Sequence, residues 1–331
     1  MQLTQVHSKE NNTKNNMVIT CNFNFNCNFN CSYCINKKQH DKYKTQLSLT
    51  ALDNLMLYLP ELKKDKYSFY IAGGEPALYP HWDKFFDVIN KKFTSETECT
   101  IGTNGYFINK FEPFIKTAEK YSLSLLISMH TEQLPIEEYV KRLQNFPYPQ
   151  NCRVKFMLDP GKLDTALSTI NTLKSFGYEK FIVQSIVINQ KPHPDYSEEE
   201  LKFFETNPYQ DDFAIDYEWL ENNETIRKTL KRDDFIFDSR FADFSGMHCI
   251  AGANSIRVLA DGKVTLCYGH RGDPNFNLNE KTILNILTSI KRLFAQANAA
   301  PALLIRNFPN GTQILPPLPP ISRANRNNLF F

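Results

Sequence analysis

Nowhere in the 331 residues do about 18 apolar side chains follow one another, the length a membrane-spanning helix needs, so no transmembrane segment is expected. The N-terminal stretch Met1 to Asn16 is polar, rich in Asn and Lys, and lacks the apolar centre of a signal peptide. Charge bias is missing too. The net charge is +2 with 22% charged residues, and no basic module is appended, so nucleic acid is not favoured as a partner. Eight cysteines are too few for a disulfide framework in a chain this long. No repeat of domain size is visible, and the duplicated Cys-Asn-Phe-Asn at residues 21–24 and 27–30 is local. Glycine is scarce and Lys, Asn, Phe and Ile are abundant, which carries no functional reading. The length suffices for a full core, as one large domain or one domain with an appendage.

Against that background, Cys27, Cys31 and Cys34 stand close together in Cys-Asn-Phe-Asn-Cys-Ser-Tyr-Cys, a C-x3-C-x2-C spacing. Cysteine thiolates hold iron–sulfur clusters, and three of them can ligate three irons of a [4Fe–4S] cube. The fourth iron then keeps an open position, as catalytic metal sites do. Zinc is the alternative, but zinc sites favour paired C-x2-C or a nearby His, and no His lies between Cys27 and Cys34. Free cysteines with a cluster motif imply a reducing cytoplasm.

Two further motifs follow apolar strands: Gly73-Gly74-Glu75-Pro76 and Gly102-Thr103-Asn104-Gly105. Together with C-x3-C-x-aromatic-C, this order resembles the radical S-adenosylmethionine (SAM) superfamily, over about residues 15–270. The resemblance implies that SAM chelates the unique iron through its amino and carboxylate groups. It further implies that the reduced cluster cleaves SAM to methionine and a 5′-deoxyadenosyl radical. A flavodoxin- or ferredoxin-type protein would supply the electron.

Six strand-then-helix units can be read. Strands are expected near Met17–Cys21, Ser68–Ala72, Cys99–Thr103, Leu123–Met129, Arg153–Met157 and Phe181–Ile188, as short β-branched or aromatic runs bounded by turn residues. Helical spacing appears at Trp82, Phe85, Phe86 and Ile89, and again at Ile136, Tyr139, Val140 and Leu143. It recurs at Phe111, Phe114, Ile115 and Ala118, and at Leu163, Ala166, Leu167 and Ile170. This alternation argues an α/β fold with a parallel sheet and right-handed crossovers. A doubly wound sheet fits it as well. The resemblance selects a partial (β/α)6 TIM-like barrel with a small C-terminal hairpin-containing extension. Either way the site belongs at the C-terminal ends of the strands.

By the resemblance, Gly73, Gly74 and Glu75 hold the SAM amino group. Tyr33 packs near SAM, Asn104 shapes its pocket, and Ser128 or His130 contacts its ribose or carboxylate. Structural readings stand beside each. Gly-Gly-Glu-Pro could be a tight turn with a solvated Glu, Asn104 a turn former, Tyr33 loop packing, and His130 a structural or substrate-facing side chain. Alternation puts Ser128 and His130 on one face, and Lys155, Gln184 and Ser185 are candidates for the barrel interior. Cys21, Cys99 and Cys152 read as packing.

The expected organisation is a core barrel over 1–215, a connector over 216–248, an extension over 249–290 and a poorly defined Pro-rich tail over 291–331. Cys249-x12-Gly262-x4-Cys267 resembles the opening of the SPASM/twitch extension, which carries auxiliary clusters, but no cysteine follows Cys267. Either His248 or His270 completes a second Fe–S cluster with Cys249 and Cys267, or the segment is a cluster-free hairpin, or the C-terminus is truncated or altered. The Asp261-Gly262 pair inside it predicts a tight turn between two strands.

The functional expectation is hydrogen abstraction from a peptide, carbohydrate or small-metabolite substrate. The absence of an N-terminal peptide-recognition domain disfavours a leader-guided enzyme. The rival from another class is a non-catalytic iron–sulfur sensor or electron-transfer protein.

Overall fold

The computed structural model describes residues 2–8, 15–34, 36, 45–188, 191–209, 214–221, 224–231, 255–265 and 277–279. Six parallel strands run in sequence order: β2 (Asn16–Asn24), β3 (Lys66–Gly73), β4 (Glu96–Thr103), β5 (Ser122–Met129), β6 (Cys152–Leu158) and β7 (Lys180–Ser185). Helices follow them in turn: α1 (Leu49–Tyr58), α2 (Trp82–Lys92), the short α3 (Glu112–Lys116), α4 (Ile136–Gln144), α5 (Leu163–Ser175) and α6 (Glu198–Thr206). The sheet's end strands do not pair with each other, so the (β/α)6 barrel is partial and stays open. Among the described residues no helix is long and apolar enough to cross a membrane.

Alternation along each strand separates two faces. Thr97, Cys99, Ile101 and Thr103 of β4 are buried, as are Leu123, Leu125, Ile127 and Met129 of β5. The apolar ones belong to the same core as the apolar stripes of the helices, including Trp82, Phe85, Phe86 and Ile89 of α2. Burying such side chains contributes about 1.5–3 kcal/mol each, which is what holds the helices to the sheet. The other face lines the barrel interior and is polar. Register aligns Thr20, Tyr70, Thr100 and Ser124 in one row, where Thr100 Oγ1 and Ser124 Oγ lie 3.0 Å apart. Higher up, Ser128 pairs with Lys155, and Gln184 pairs with Met157. Ser185 does not face the interior. It pairs with Leu158 on the helix-covered side and is fully buried, because adjacent strand residues point to opposite faces.

Three further features complete the fold. α1 begins at Ser48, whose hydroxyl accepts from the Ala51 N–H and caps the helix. Overlapping the expected connector, β10 (Ala214–Glu221) and β11 (Glu224–Lys231) form an antiparallel hairpin. That hairpin pairs with β1 (Gln2–Ser8), which lies in the polar N-terminal stretch where no strand is expected from the sequence. The third is the Asp261-Gly262 hairpin, formed by β12 (Ser255–Val258) and β13 (Val264–Thr265), with Gly262 at φ +83°. β12 pairs in parallel with β2, so this hairpin continues the barrel sheet past its first strand. Two short strands after β7, β8 (Val187–Ile188) and β9 (Lys191–Pro192), make a separate antiparallel pair. Cys249, Cys267, His248, His270 and the Pro-rich tail lie outside the described residues.

Candidate active site at the strand ends

The cysteine loop leaves β2 and is tied down at both ends. Phe25 N donates to Thr45 O at 3.1 Å, and Leu47 N to Phe23 O at 2.7 Å, so the returning chain lies along the strand it left. The loop also docks on the turn after β3. Gly74 N donates to Asn24 O (2.8 Å), Glu75 N to Asn26 O (2.7 Å), and Asn24 Nδ2 to Glu75 O (3.1 Å). That approach explains the glycines. A Cβ on Gly74 would stand 2.1 Å from Asn26 O, and one on Gly73, at φ +127°, 2.3 Å from Asn24 O. Only a residue without a side chain lets the two backbones meet.

Glu75 joins a third segment to these two. It is 1% exposed, and both carboxylate oxygens are engaged. Oε1 accepts from Ala77 N (3.0 Å) and Thr103 Oγ1 (2.7 Å), while Oε2 accepts from Asn104 N (2.7 Å). Burial raises its pKa above the usual carboxylate range, and the three donors and the Lys110 charge oppose that rise. Asn104 then reaches the cysteine loop, donating through Nδ2 to Asn28 Oδ1 at 2.9 Å with Cys27 Sγ at 3.9 Å. Its Oδ1 accepts from Tyr106 N, which makes it a turn former as well. Thus Cys27, Gly73, Gly74, Glu75 and Asn104 converge. Glu75 is not the solvated end of a tight turn.

Tyr33 and His130 meet on the other side. Their rings stack at 5.8 Å, with Tyr33 Oη 3.1 Å from His130 Nδ1, and Phe29 stands edge-on to His130 at 6.3 Å. Burial, and then the charge of Lys155, push His130 down to about 4, so it is neutral at pH 7. Burial likewise keeps the Tyr33 phenol protonated. The contact is therefore a hydrogen bond between two neutral groups, whose direction follows the imidazole tautomer. His130 N donates to Tyr139 Oη at 3.0 Å, fixing the strand end to α4. Ser128 lies on the interior face of β5 beside Lys155, below this pair.

None of the three cysteines is in a disulfide; Cys31 is buried and Cys27 and Cys34 are half-buried. Cys31 is pushed up to about 12, first by burial and then by the charges of Cys34 and Cys27. Cys27 is raised by burial, and by Glu75 and Cys34. Residues 27–34 contain no Lys, Arg or His. Thiolates that burial and one another's charge disfavour would be stabilised by a bound metal, which inverts the local pKa logic. Among the described residues no three His, Cys, Asp or Glu side chains converge on a single-ion site. A cube presents each thiolate with its own iron, so its ligands need not converge on one point. The donor set therefore fits a cluster. Cys21, Cys99 and Cys152 are buried core residues, and burial raises all three pKa values.

Residues unmarked by any motif also contribute. Asn22, on the interior face of β2 and 3% exposed, has an Nδ2 without a partner, as does the buried Asn24 Oδ1. Orphaned amide groups beside the Gly73 turn suit a ligand rich in acceptors and donors, and SAM's amino and carboxylate groups are such a set. Asn30 N donates to Gln133 Oε1 and Ser32 N to Glu132 Oε2, both at 2.9 Å. Only the position of Glu132 and Gln133 just past a strand end could have marked them.

Residues 21–202 match the family model described as the radical SAM superfamily. No curated protein matches the chain. Among solved structures, the chain is similar to histidine-tagged anSMEcpe with bound AdoMet, at 13% identity and a TM-score of 0.55, covering 84% of this chain and 79% of that one. It is also similar to native anSMEcpe with bound AdoMet and the Cp18Cys peptide, at 12% identity and a TM-score of 0.53, covering 84% and 82%. At such identities the likeness is one of fold.

Proposed function

The chain belongs to the radical SAM superfamily, and from that premise we propose an enzyme that binds a [4Fe–4S] cluster on Cys27, Cys31 and Cys34 and SAM beside it. The carrying observation is the three-way lock, in which Glu75 ties the glycine turn and Asn104 against the loop that bears the cysteines. A sensor or electron carrier needs no such glycine-lined approach beside its cluster.

The chemistry a reduced cluster supplies to bound SAM is one-electron cleavage to methionine and a 5′-deoxyadenosyl radical, which takes a hydrogen atom from substrate. The chain's own residues position and shield. The backbone of the Gly73–Gly74 turn would hold the SAM amino group, and Glu75, committed to three donors, holds the turn rigid. Asn104 closes the pocket wall. Tyr33 and neutral His130 form an aromatic wall on the opposite side, with Ser128 beneath them as a hydroxyl for ribose or carboxylate.

Substrate enters through the open barrel, whose interior rows are polar. A peptide, carbohydrate or small metabolite fits that lining, and the peptide bound by anSMEcpe supports the first of these. The electron comes from a flavodoxin- or ferredoxin-type protein in a reducing cytoplasm.

The test is anaerobic reconstitution. Wild type should take up about four irons at the triplet and, once reduced, release 5′-deoxyadenosine from SAM, while the triple Cys→Ala variant takes up none. A clustered wild type with no affinity for SAM would sink the enzyme reading and leave the sensor.

A further inference from the structure

Between the two loops described above lies a contact that no motif announces. The turn after β5 lays two side-chain acceptors along the cysteine loop. Gln133 Oε1 accepts from the N–H of Asn30 at 2.9 Å. Glu132 Oε2 accepts from Ser32 N at 2.9 Å and from Ser32 Oγ at 3.2 Å. Asn30 and Ser32 are the immediate neighbours of Cys31, so the middle cysteine is gripped from both sides.

The turn making this grip is itself braced. Gln133 N and Leu134 N both donate to His130 O, at 2.9 and 3.1 Å. Thr131 Oγ1 bonds the carboxylate of Asp159, which follows β6. Loop backbone that bridges between ligands has few intrinsic restraints, and its N–H groups need acceptors. Two of them here come from a separate, rigid strand end. One acceptor is a carboxylate, which makes the stronger, charge-assisted bond and sets a negative charge beside the cysteine loop.

Resting on the cluster reading above, we infer that Glu132 and Gln133 are positioning residues for the cluster, gripping the loop around Cys31, and that the Glu132 charge holds the cluster's reduction potential down. A negative charge near the cube disfavours the added electron, one of the recognised levers on cluster potential. Outer partners of metal ligands typically change metal affinity by about 10–100-fold when removed.

The experiment uses the full chain, reconstituted anaerobically, with two variants. Glu132→Gln keeps an oxygen for Ser32 but loses the charge. Its iron content should match wild type while its midpoint potential shifts upward. Glu132→Ala/Gln133→Ala loses all three bonds and should surrender its iron to a chelator about tenfold faster. A loop held by other means would leave both the potential and the chelation rate at wild-type values, overturning the inference while the cluster assignment stands. A wild type that binds no iron would overturn both together, so the two failures are distinguishable.

Discussion

The backbone N–H of Asn104 donates a 2.7 Å hydrogen bond to the carboxylate of Glu75, linking the end of one barrel strand to the turn after its neighbour. The bond is buried. It places a charged acceptor where the interior would otherwise have to satisfy the donors of Ala77, Thr103 and Asn104 separately.

Replacing Glu75 by Gln keeps the shape and turns one oxygen into a donor facing a donor. Iron-free Glu75→Gln should lose about 2 kcal/mol of unfolding free energy in urea. A loss indistinguishable from zero would mean that the carboxylate carries no structural load.

Gly74→Ala should be far more damaging than Gly102→Ala. The new Cβ at residue 74 meets backbone at 2.1 Å, which cannot swing away. At residue 102 the nearest atom is a side-chain hydroxyl at 3.4 Å. The expected cost for Gly74→Ala is about 3 kcal/mol or more, with loss of iron uptake. Equal stability of the two variants would contradict the docking of loop on turn.

His130 should make the iron-free protein acid-sensitive. Its pKa is held below the ordinary 6.5, at about 4, so the unfolded chain binds the proton more readily. The stabilisation is complete above pH 6.5 and is lost as pH falls toward 4, amounting to about 3 kcal/mol at most. Glu75, raised by burial, acts in the opposite sense, contributing stability at low pH that is lost as pH rises through its folded value. His130→Phe, which keeps a ring against Tyr33, should flatten the pH 7 to 4.5 slope of unfolding free energy. An unchanged slope would assign the acid sensitivity elsewhere.

Iron analysis of a Cys249→Ala/Cys267→Ala variant should match wild type, because two cysteines with one or two histidines make a poor cube site. An excess of several irons in wild type would instead show an auxiliary cluster.

The barrel strands were legible because their helix-covered faces place apolar or β-branched residues at every second position between turn residues. Ser122–Met129 spans the expected Leu123–Met129, and Glu96–Thr103 contains Cys99–Thr103. The chemistry-bearing motifs were legible because cysteine spacing and paired glycines are rare. Gln2–Ser8 and Glu224–Lys231 were not, since their polar and charged residues lack a clean apolar alternation, whereas the alternating Ile215, Tyr217 and Trp219 of Ala214–Glu221 were a signal passed over among the surrounding charges. Nor were Glu132 and Gln133 legible, since their partners are backbone N–H groups about a hundred residues away, a pairing that leaves no local pattern.

The strand pair β2–β12 has a consequence for how the chain is made. The first barrel strand takes one neighbour from the segment just after it and the other from far toward the C-terminus. During synthesis that outer edge of β2 must wait, with its ladder groups unpaired, until residues 255–258 emerge. Closing so long a loop is entropically slow. Completion of this edge is therefore a late event in folding, and a nascent chain stopped short of residue 255 would expose a sticky strand directly beside the cysteine loop.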